Sequence, residues 1–467
     1  MKYIYLFILL SLSCFSGSGQ NHALDRFCGY GELKNAGISF ELKNLSTGNI
    51  VAAYNENTSL TPASVNKILT TAAALEILGK DFFYQTFLFH TGTIQDSILI
   101  GDLYVEGTGD PTLGSEYMEK DREAFLKTWL THIQKRGIKK IEGNIIALDQ
   151  LFGYEGVSSK WLWEDMGNYY APGIYGISIF DNMYRVFLQS FRPGDTTKIL
   201  KTVPPMTNLH FKNEIISGTN QSDLSYVSGI PFSDEKRLCG FIPPDRTFFP
   251  VRGAIPDPGL YLAIYLKSYL EKNNIVVSGK ATSFRLNFVE PDEKNIISAI
   301  NSPDLASIVR VINVRSNNHY AEHLYKLLTK VNDVNIPDFW KQKGSDSSAL
   351  FMFDGSGISP MNAVSASFMN SILEYMYKKE GTSGAFYQSL PLAGREGTVT
   401  SFLKGSVLEG KARVKSGSIT NVQAYSGYIE YEGQEYAFTI IINNFNGTRP
   451  ILRKQIEYLL VGLLRNS

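Results

Sequence analysis

The pattern of apolar residues and turns changes twice along the chain, and these two changes limit its fold more than any other feature. Residues 33–82 and 289–467 carry apolar periodicities that are typical of helices and of paired strands. Residues 83–288 instead carry short strand-like runs separated by many Gly and Pro turns. We therefore expect one helix-covered sheet built from both outer parts of the chain, with the middle part inserted into it.

The outer parts predict individual elements of that sheet and its cover. A helix is expected to begin at Ser64, directly after Pro62 and Ala63, and to end at Gly79. The fold class that follows is α/β (α+β), an antiparallel sheet covered by helices. β-Hairpins are expected at 37–43 with 50–54 and at 423–431 with 435–443, and a last helix carries Leu452, Ile456, Leu459, Leu460 and Leu463 on one face.

The N-terminus has the three parts of a secretory signal peptide. Lys2 precedes an apolar run at 3–12 that is too short to cross a membrane, and a small-residue patch follows at 16–19. We expect cleavage after Gly19 and export, either to the periplasm or to a loose association with the membrane. Cys14 keeps a lipid anchor open as an alternative, and no later segment predicts a membrane helix.

Composition excludes two broad classes of protein. The 467 residues include 45 Lys+Arg and 45 Asp+Glu, and this balance argues against a general nucleic-acid binder, which needs excess positive charge. A hydrophobic content of 43% is too high for a disordered chain. In an oxidising compartment Cys28 and Cys239 form one disulfide or stay two buried thiols, and both alternatives remain open.

Three short motifs carry the candidate chemistry. The pattern S-x-x-K also occurs at 233–236 and 401–404, but only the copy at Ser64 opens an apolar helix. There, positions i and i+3 share one face, which places the Lys67 ammonium beside the Ser64 hydroxyl. Such a lysine activates a serine when burial and nearby positive charge lower its pKa. The motifs are Ser64-Val65-Asn66-Lys67, Ser316-Asn317-Asn318 and Lys415-Ser416-Gly417.

The second and third motifs supply the other groups that such a reaction needs. Lys415, on a strand-like stretch, would provide the second positive charge and hold an anionic substrate group. The hydroxyls of Ser316 and Ser416 would relay protons and bind the same carboxylate, while the Asn318 amide would bind a peptide carbonyl. Together the motifs predict a serine nucleophile that acts on a peptide with a free carboxylate.

In this order, the motifs resemble those of the penicillin-recognising serine acyl-transferases. Their flanks are similar to the D-alanyl-D-alanine carboxypeptidase/endopeptidase family, peptidase family S13, also called class C low-molecular-mass penicillin-binding proteins. Members resemble a β-lactamase-like catalytic domain with two further domains inserted between the first two motifs, which fits the long gap from Ser64 to Ser316. The similar flanks are Pro62-Ala63-Ser64, Leu78-Gly79, Ala321-Glu322 and residues 107–113, 161–165, 302–305, 354–357 and 394–398.

The resemblance implies a division of the chain after the signal peptide at residues 1–19. A serine transpeptidase-like catalytic domain would comprise residues 20–82 and 289–467. An inserted, mainly β domain II would comprise residues 83–185 and 262–288, and a second inserted domain III would comprise residues 186–261.

The resemblance also implies a role for each motif residue. The substrates would be peptidoglycan stem peptides, β-lactam antibiotics would be covalent inhibitors, and no metal or cofactor would be needed. Asp165, from an inserted domain, would approach the site and favour a cationic or diaminopimelate-type substrate end. The remaining assignments are Ser64 as nucleophile, Lys67 as general base, Ser316, Asn318 and Lys415 as their catalytic partners, Ser416 and Gly417 at the substrate carboxylate, and the backbone N–H groups of Ser64 and Ser418 as the oxyanion hole.

Two positions depart from the family pattern. Asn317 replaces an Asp that is often found in the second motif, and this removes a charge without emptying a functional position. Ser416 replaces the commoner Thr, which keeps the hydroxyl, so we expect little change in chemistry.

Other functions remain as alternatives. His319, Glu322 and His323 form an H-x-x-E-H string, which on a helix predicts a zinc metallopeptidase. The competing interpretation makes these histidines two partly exposed residues of a helix. A non-catalytic peptidoglycan-binding scaffold is a further alternative, which the intact nucleophile and base disfavour. A β-lactamase would need an added deacylating base, and the sequence offers no clear candidate.

Overall fold

The computed structural model describes residues 18–288 and 290–465. Most of the predicted signal peptide, including Cys14, lies outside these residues. Among the described helices, none has the length and apolar character that a membrane crossing requires. Cys28 and Cys239 are separate thiols, so the alternative of a disulfide between them is not what the structure has.

Helices and strands follow one another along the whole described chain. The helices are Ser18–Cys28 (α1), Lys67–Leu78 (α2), Ala124–Lys135 (α3), Pro258–Lys272 (α4), Phe284–Asn287 (α5), Leu305–Arg315 (α6), Asn318–Lys326 (α7), Ile336–Gln342 (α8), Ala366–Glu380 (α9), Ala385–Ser389 (α10) and Arg449–Leu464 (α11). The strands are Gly37–Asn44 (β1), Ile50–Tyr54 (β2), Gln85–His90 (β3), Thr93–Gln95 (β4), Ile98–Ile100 (β5), Leu103–Gly107 (β6), Lys140–Glu142 (β7), Ile145–Leu148 (β8), Met183–Gln189 (β9), Lys198–Val203 (β10), His210–Asn213 (β11), Ile216–Ser217 (β12), Tyr226–Ser228 (β13), Glu235–Cys239 (β14), Phe241–Ile242 (β15), Phe249–Ala254 (β16), Val276–Val277 (β17), Ala281–Ser283 (β18), Asn295–Asn301 (β19), Ala412–Ile419 (β20), Val422–Tyr431 (β21) and Gln434–Asn443 (β22).

The two ends of the chain build one antiparallel sheet, as the sequence predicts. Its strand order is β2-β1-β22-β21-β20, so β20 forms one edge. The N-terminal hairpin joins the C-terminal one through β1 and β22, where Phe40 lies opposite Ile440. Both predicted hairpins are therefore confirmed, and so is the helix-covered antiparallel sheet of the predicted fold class.

Both faces of this sheet are buried, which follows from the sequence of β22. Ala437 and Ile441 contact a core formed with α2, α6, α7 and α9. Phe438, Ile440 and Ile442 contact a second core formed with α1 and α11 on the opposite face. Because successive side chains of a strand point to opposite faces, a continuous apolar run places the strand between two layers of helices.

The inserted segment forms most of five further sheets, which have between two and five strands. The largest has the order β18-β8-β6-β3-β19, and the others are β17-β7-β5-β4, β10-β9-β16, β11-β14-β13 and β12-β15. One apolar cluster runs through the segment and includes Leu88, Leu188 and Leu238. Strand β19, which follows the predicted boundary at residue 288, pairs with β3 of the inserted segment. The division into domains II and III stays a prediction.

Candidate active site

A cleft of about 860 Å³ lies between the edge strand β20, the start of α2, the segment before α7 and residues 162–170 of the inserted segment. The side chains predicted to meet substrate converge on it. Lys67, Lys415 and Gly417 lie buried close to its floor. The predicted residues that line the cleft itself are Ser64, Asp165, Ser316, Asn318, Ser416 and Ser418.

Ser64 lies in the 3-10 turn Ala63–Asn66, which leads directly into α2. A 3-10 turn nearly eclipses residues i and i+3, and this brings Lys67 Nζ to 3.0 Å from Ser64 Oγ. The backbone of Ala63 has φ of 48°, a left-handed conformation that is unfavourable for residues other than glycine. Such strained residues occur most often at functional sites. The predicted pairing of Ser64 with Lys67 is therefore present, in a tighter turn than an α-helix provides.

Gly417 allows the edge strand to approach this turn. A Cβ atom at Gly417 would lie 2.6 Å from the carbonyl oxygen of Pro62 and 2.9 Å from the backbone nitrogens of Ser64 and Val65. Contacts this short force displacement of the backbone. Glycine at this position therefore sets the distance between β20 and the nucleophile.

Lys67 is fully buried and has three hydrogen-bond acceptors. Its ammonium nitrogen donates to Ser64 Oγ at 3.0 Å, to Asn318 Oδ1 at 2.6 Å and to the carbonyl oxygen of Ser356 at 2.6 Å. Burial lowers the pKa of Lys67 to about 7, and the negative charges of Asp354 and Glu322 oppose this shift. The sequence predicts a contribution from nearby positive charge, whereas loss of hydration is the dominant cause of the lowered pKa.

Lys415 joins the second and third motifs. Its ammonium nitrogen donates to Ser316 Oγ at 2.9 Å and to the carbonyl oxygen of Ser416 at 2.6 Å. Burial, and then the charge of Lys67, hold the pKa of Lys415 well below its usual range. The Ser416 hydroxyl also lies 2.7 Å from Thr398 Oγ1. Three hydroxyls and one lysine thus converge where a substrate carboxylate is expected.

The second motif lies between two helices. Ser316 ends α6 with φ of 54°, and the Asn317 side chain caps α7 by accepting from the Tyr320 backbone N–H at 2.9 Å. Asn and Asp are both good residues for this capping position, which explains why replacing the family's Asp leaves the local structure intact. Asn318 donates through Nδ2 to the carbonyl oxygen of Tyr170 at 2.7 Å.

Tyr170 connects the inserted segment to the catalytic residues. Its hydroxyl donates to Asp165 Oδ1 at 3.0 Å, while its carbonyl oxygen accepts from Asn318. Asp165 is half-buried, and burial raises the pKa of its carboxyl group. The structure places Asp165 in the cleft as predicted. Its preference for a cationic substrate stays a prediction.

Sequence reasoning missed the groups beneath Lys67. The carbonyl oxygen of Ser356 holds the lysine, and Glu322 Oε1 in turn accepts from the Ser356 backbone N–H at 2.7 Å. Burial raises the pKa of Glu322 to about 8, and the charge of Asp354 adds to this effect. Residues 354–357 were visible as a family flank. Their contribution is a backbone carbonyl, which side-chain patterns do not reveal.

The zinc interpretation of the H-x-x-E-H string is wrong. His319 Nε2 lies 2.7 Å from Ser178 Oγ, and His323 Nδ1 lies 2.9 Å from the carbonyl oxygen of Gly109. Both rings are buried, so the expectation of partly exposed histidines is also wrong. Burial lowers the pKa of His323 to about 3, which keeps this ring neutral. The two rings fasten α7 to the inserted segment, and no cluster of three metal-ligating side chains occurs in residues 18–288 and 290–465.

Comparison with protein-family models decides the classification. The model of the D-Ala-D-Ala carboxypeptidase 3 (S13) family matches residues 20–466, nearly the whole chain. The chain belongs to the S13 family. The family resemblance noted from the motifs is thereby confirmed, and S13 membership makes the chain a serine-type carboxypeptidase by class.

Individual relatives match along most of their length. The D-alanyl-D-alanine carboxypeptidase DacB of Haemophilus influenzae is 24% identical over 92% of this chain and 90% of that protein. The D-alanyl-D-alanine carboxypeptidase of an Actinomadura strain is 26% identical over 87% of this chain and 77% of that protein. The crystal structure of penicillin binding protein 4 from H. influenzae superposes with a TM-score of 0.79, at 24% identity, over 91% of this chain and 96% of that one.

Proposed function

We propose that the chain is an exported serine DD-peptidase that acts on peptidoglycan stem peptides. The observation that carries the proposal is the contact between Lys67 Nζ and Ser64 Oγ, on the floor of a cleft where Lys415 contacts Ser316. This pairing supplies a base for the serine and a cation for a substrate carboxylate in one cavity. The names of the two D-alanyl-D-alanine carboxypeptidase relatives support the same reaction.

The reaction begins with proton transfer from Ser64 to neutral Lys67. A pKa of about 7 keeps a large fraction of Lys67 neutral at neutral pH, and its Nζ is within reach of the Ser64 proton. Ser64 Oγ then attacks the carbonyl carbon between two D-alanines. The C–N bond breaks, an ester to Ser64 forms, and terminal D-alanine leaves with a proton returned through Lys67 or the Ser316–Lys415 pair.

Charge on the substrate is held at two places in this scheme. The terminal carboxylate is bound by the hydroxyls of Ser416 and Thr398 with Lys415 beneath them, and the negative charge of the bound carboxylate favours the protonated form of Lys415. The oxyanion is bound by the backbone N–H groups of Ser64 and Ser418, which requires the close approach of β20 that Gly417 allows.

Water then hydrolyses the acyl-enzyme to complete the cycle. The acidic residues among the described residues that line the cleft are Glu164 and Asp165, and both come from the inserted segment. Rapid hydrolysis of a β-lactam adduct needs an added deacylating base, for which the sequence offers no clear candidate. We therefore expect a β-lactam to acylate Ser64 and to stay attached as a slowly hydrolysed adduct. Cutting of D-alanyl cross-links by the same steps would add endopeptidase activity. Export to the periplasm follows from the predicted signal peptide at residues 1–19.

The proposal is tested with two synthetic pentapeptides, one ending in D-Ala-D-Ala and the other in D-Ala-L-Ala. The mature protein should release D-alanine from the first and leave the second intact. Ser64→Ala should lose the activity while keeping its melting temperature within a few degrees. Equal cleavage of both peptides, or full activity of Ser64→Ala, would show that another reaction takes place.

A further inference from the structure

Two walls of the cleft carry opposite charge. Glu164 and Asp165, from the inserted segment, line one wall, and Arg449 and Arg453, from α11, line the other. In the described part of the chain, neither Asp165 nor Arg449 forms an ion pair with another side chain, whereas Arg453 has one distant carboxylate partner. Charges of both signs in one cleft, with Asp165 and Arg449 left without an ion-pair partner among the described residues, favour a ligand with charges of both signs.

The positive wall is only partly neutralised. Arg453 Nε lies 3.8 Å from Glu457 Oε1, but that oxygen also accepts from the Leu403 backbone N–H at 2.9 Å, and Lys454 lies 3.1 Å from Glu457 Oε2. Arg453 Nε is buried and has no hydrogen-bond partner among the described residues. Arg449 and Arg453 are four residues apart, so they share one face at the N-terminal end of α11, where the helix dipole adds positive potential.

The position of this wall relative to Ser418 indicates which part of a substrate it meets. Arg449 Nη2 donates to the carbonyl oxygen of Ile419 at 2.7 Å, directly after Ser418 on the edge strand β20. A peptide that pairs with this edge places its cleaved carbonyl at Ser418 and its carboxylate at Ser416. Its upstream residues then pass Ile419 and reach the arginines.

We propose that Arg449 and Arg453 bind a carboxylate of the stem peptide upstream of the acylated D-alanine. This inference rests on the proposed DD-peptidase function and specifies which further substrate group that site recognises. Stem peptides offer two such groups, the free carboxylate of the γ-linked D-glutamate at position two and the side-chain carboxylate of a diaminopimelate at position three. Guanidinium groups bind carboxylates with paired, charge-assisted hydrogen bonds. An amine of the same substrate is the group that the family resemblance assigns to Asp165 in this cleft.

The test uses two pairs of synthetic pentapeptides ending in D-Ala-D-Ala. Within a pair, the peptides differ only by a carboxylate or a carboxamide, at position two in one pair and at position three in the other. The wild-type protein should prefer the carboxylate form of one pair by about tenfold in kcat/KM, mainly through KM. The responding pair identifies the group that is bound.

Variants then assign the preference to the arginines. Arg449→Gln and Arg453→Gln should each reduce the ratio of the two kcat/KM values to about two or below, and this ratio cancels any general loss of activity. Arg465→Gln is the matched control, because Arg465 directly follows α11, is exposed and does not line the cleft, and this variant should keep the wild-type ratio.

The outcomes separate this inference from the proposed function. Equal cleavage of both forms in both pairs by the wild-type protein would overturn the anion site and leave the peptidase function standing. An unchanged ratio in both arginine variants would also overturn the anion site, and so would an equal fall of the ratio in Arg465→Gln. A wild-type protein that cleaves none of the peptides and does not react with benzylpenicillin would contradict the peptidase function, and the anion site with it.

Discussion

The lowered pKa of Lys67 predicts how acylation depends on pH. A shift from 10.5 to about 7 corresponds to roughly 5 kcal/mol against the charged form. About half of the Lys67 side chains are then neutral at pH 7, against roughly one in 3,000 for an unperturbed lysine. Since only the neutral form accepts the Ser64 proton, the acylation rate should rise as pH rises through about 7 and level off above it.

The assay is the second-order rate constant of acylation by benzylpenicillin between pH 5 and 9. Its carboxylate stays ionised throughout, so the inflection reports the protein. We expect the rate at pH 5 to be about 100-fold below that at pH 8, with tenfold per pH unit on the acid side. Lys67→Arg keeps a charged side chain at every pH tested, so its rate should fall about 1,000-fold and show no rise.

Three results would refute this reasoning. A rate that is constant from pH 5 to 8 would show that Lys67 is not the base. A rate that still rises tenfold per pH unit between pH 8 and 9 would show that burial does not shift its pKa. A Lys67→Arg variant that retains the wild-type profile would assign the inflection to another group. Circular dichroism at each pH serves as the control for folding.

Three further substitutions test the surrounding geometry. Gly417→Ala should lower the benzylpenicillin acylation rate by about 100-fold, because the added Cβ displaces β20 from Ser64. Asn317→Ala removes the cap of α7 and should lower the free energy of unfolding in urea by about 1 kcal/mol, whereas Asn317→Asp should not. Tyr170→Phe removes the hydrogen bond to Asp165, and kcat/KM for a stem peptide with a free amine at position three should fall about fivefold, as measured against the acetylated peptide.

Each of these expectations can fail independently. Wild-type acylation in Gly417→Ala would mean that β20 need not approach the nucleophile so closely. Unchanged stability in Asn317→Ala would mean that water replaces the cap. Equal losses for the free and acetylated peptides in Tyr170→Phe would show that the variant damages the whole site rather than the amine-binding wall.

The main sheet and the pairing of Ser64 with Lys67 are predictable because both depend on local periodicity. Alternating apolar residues define β1, a continuous apolar run defines β22, and a separation of three residues within one helical turn defines the nucleophile and its base. The convergence of Lys415 with Ser316 is not local. It was expected from the chemistry that the motifs supply and from the family resemblance, and the structure places their side chains 2.9 Å apart.

Other features depend on how the inserted segment packs, and no local pattern encodes that packing. His319 and His323 are buried because Ser178 and Gly109 of that segment cover them. The Tyr170 carbonyl reaches Asn318 for the same reason. Backbone groups supply these contacts as often as side chains do, so a search for reactive side chains does not find them.

The most direct test of Ser64 as the acylated nucleophile is intact mass and peptide mapping of the mature protein after exposure to benzylpenicillin. The account predicts the mass of one penicillin on the peptide that contains Ser64. The adduct should be absent in Ser64→Ala and unchanged by prior treatment with a chelator. A folded wild-type protein without an adduct, or an adduct on a different residue, would contradict the account.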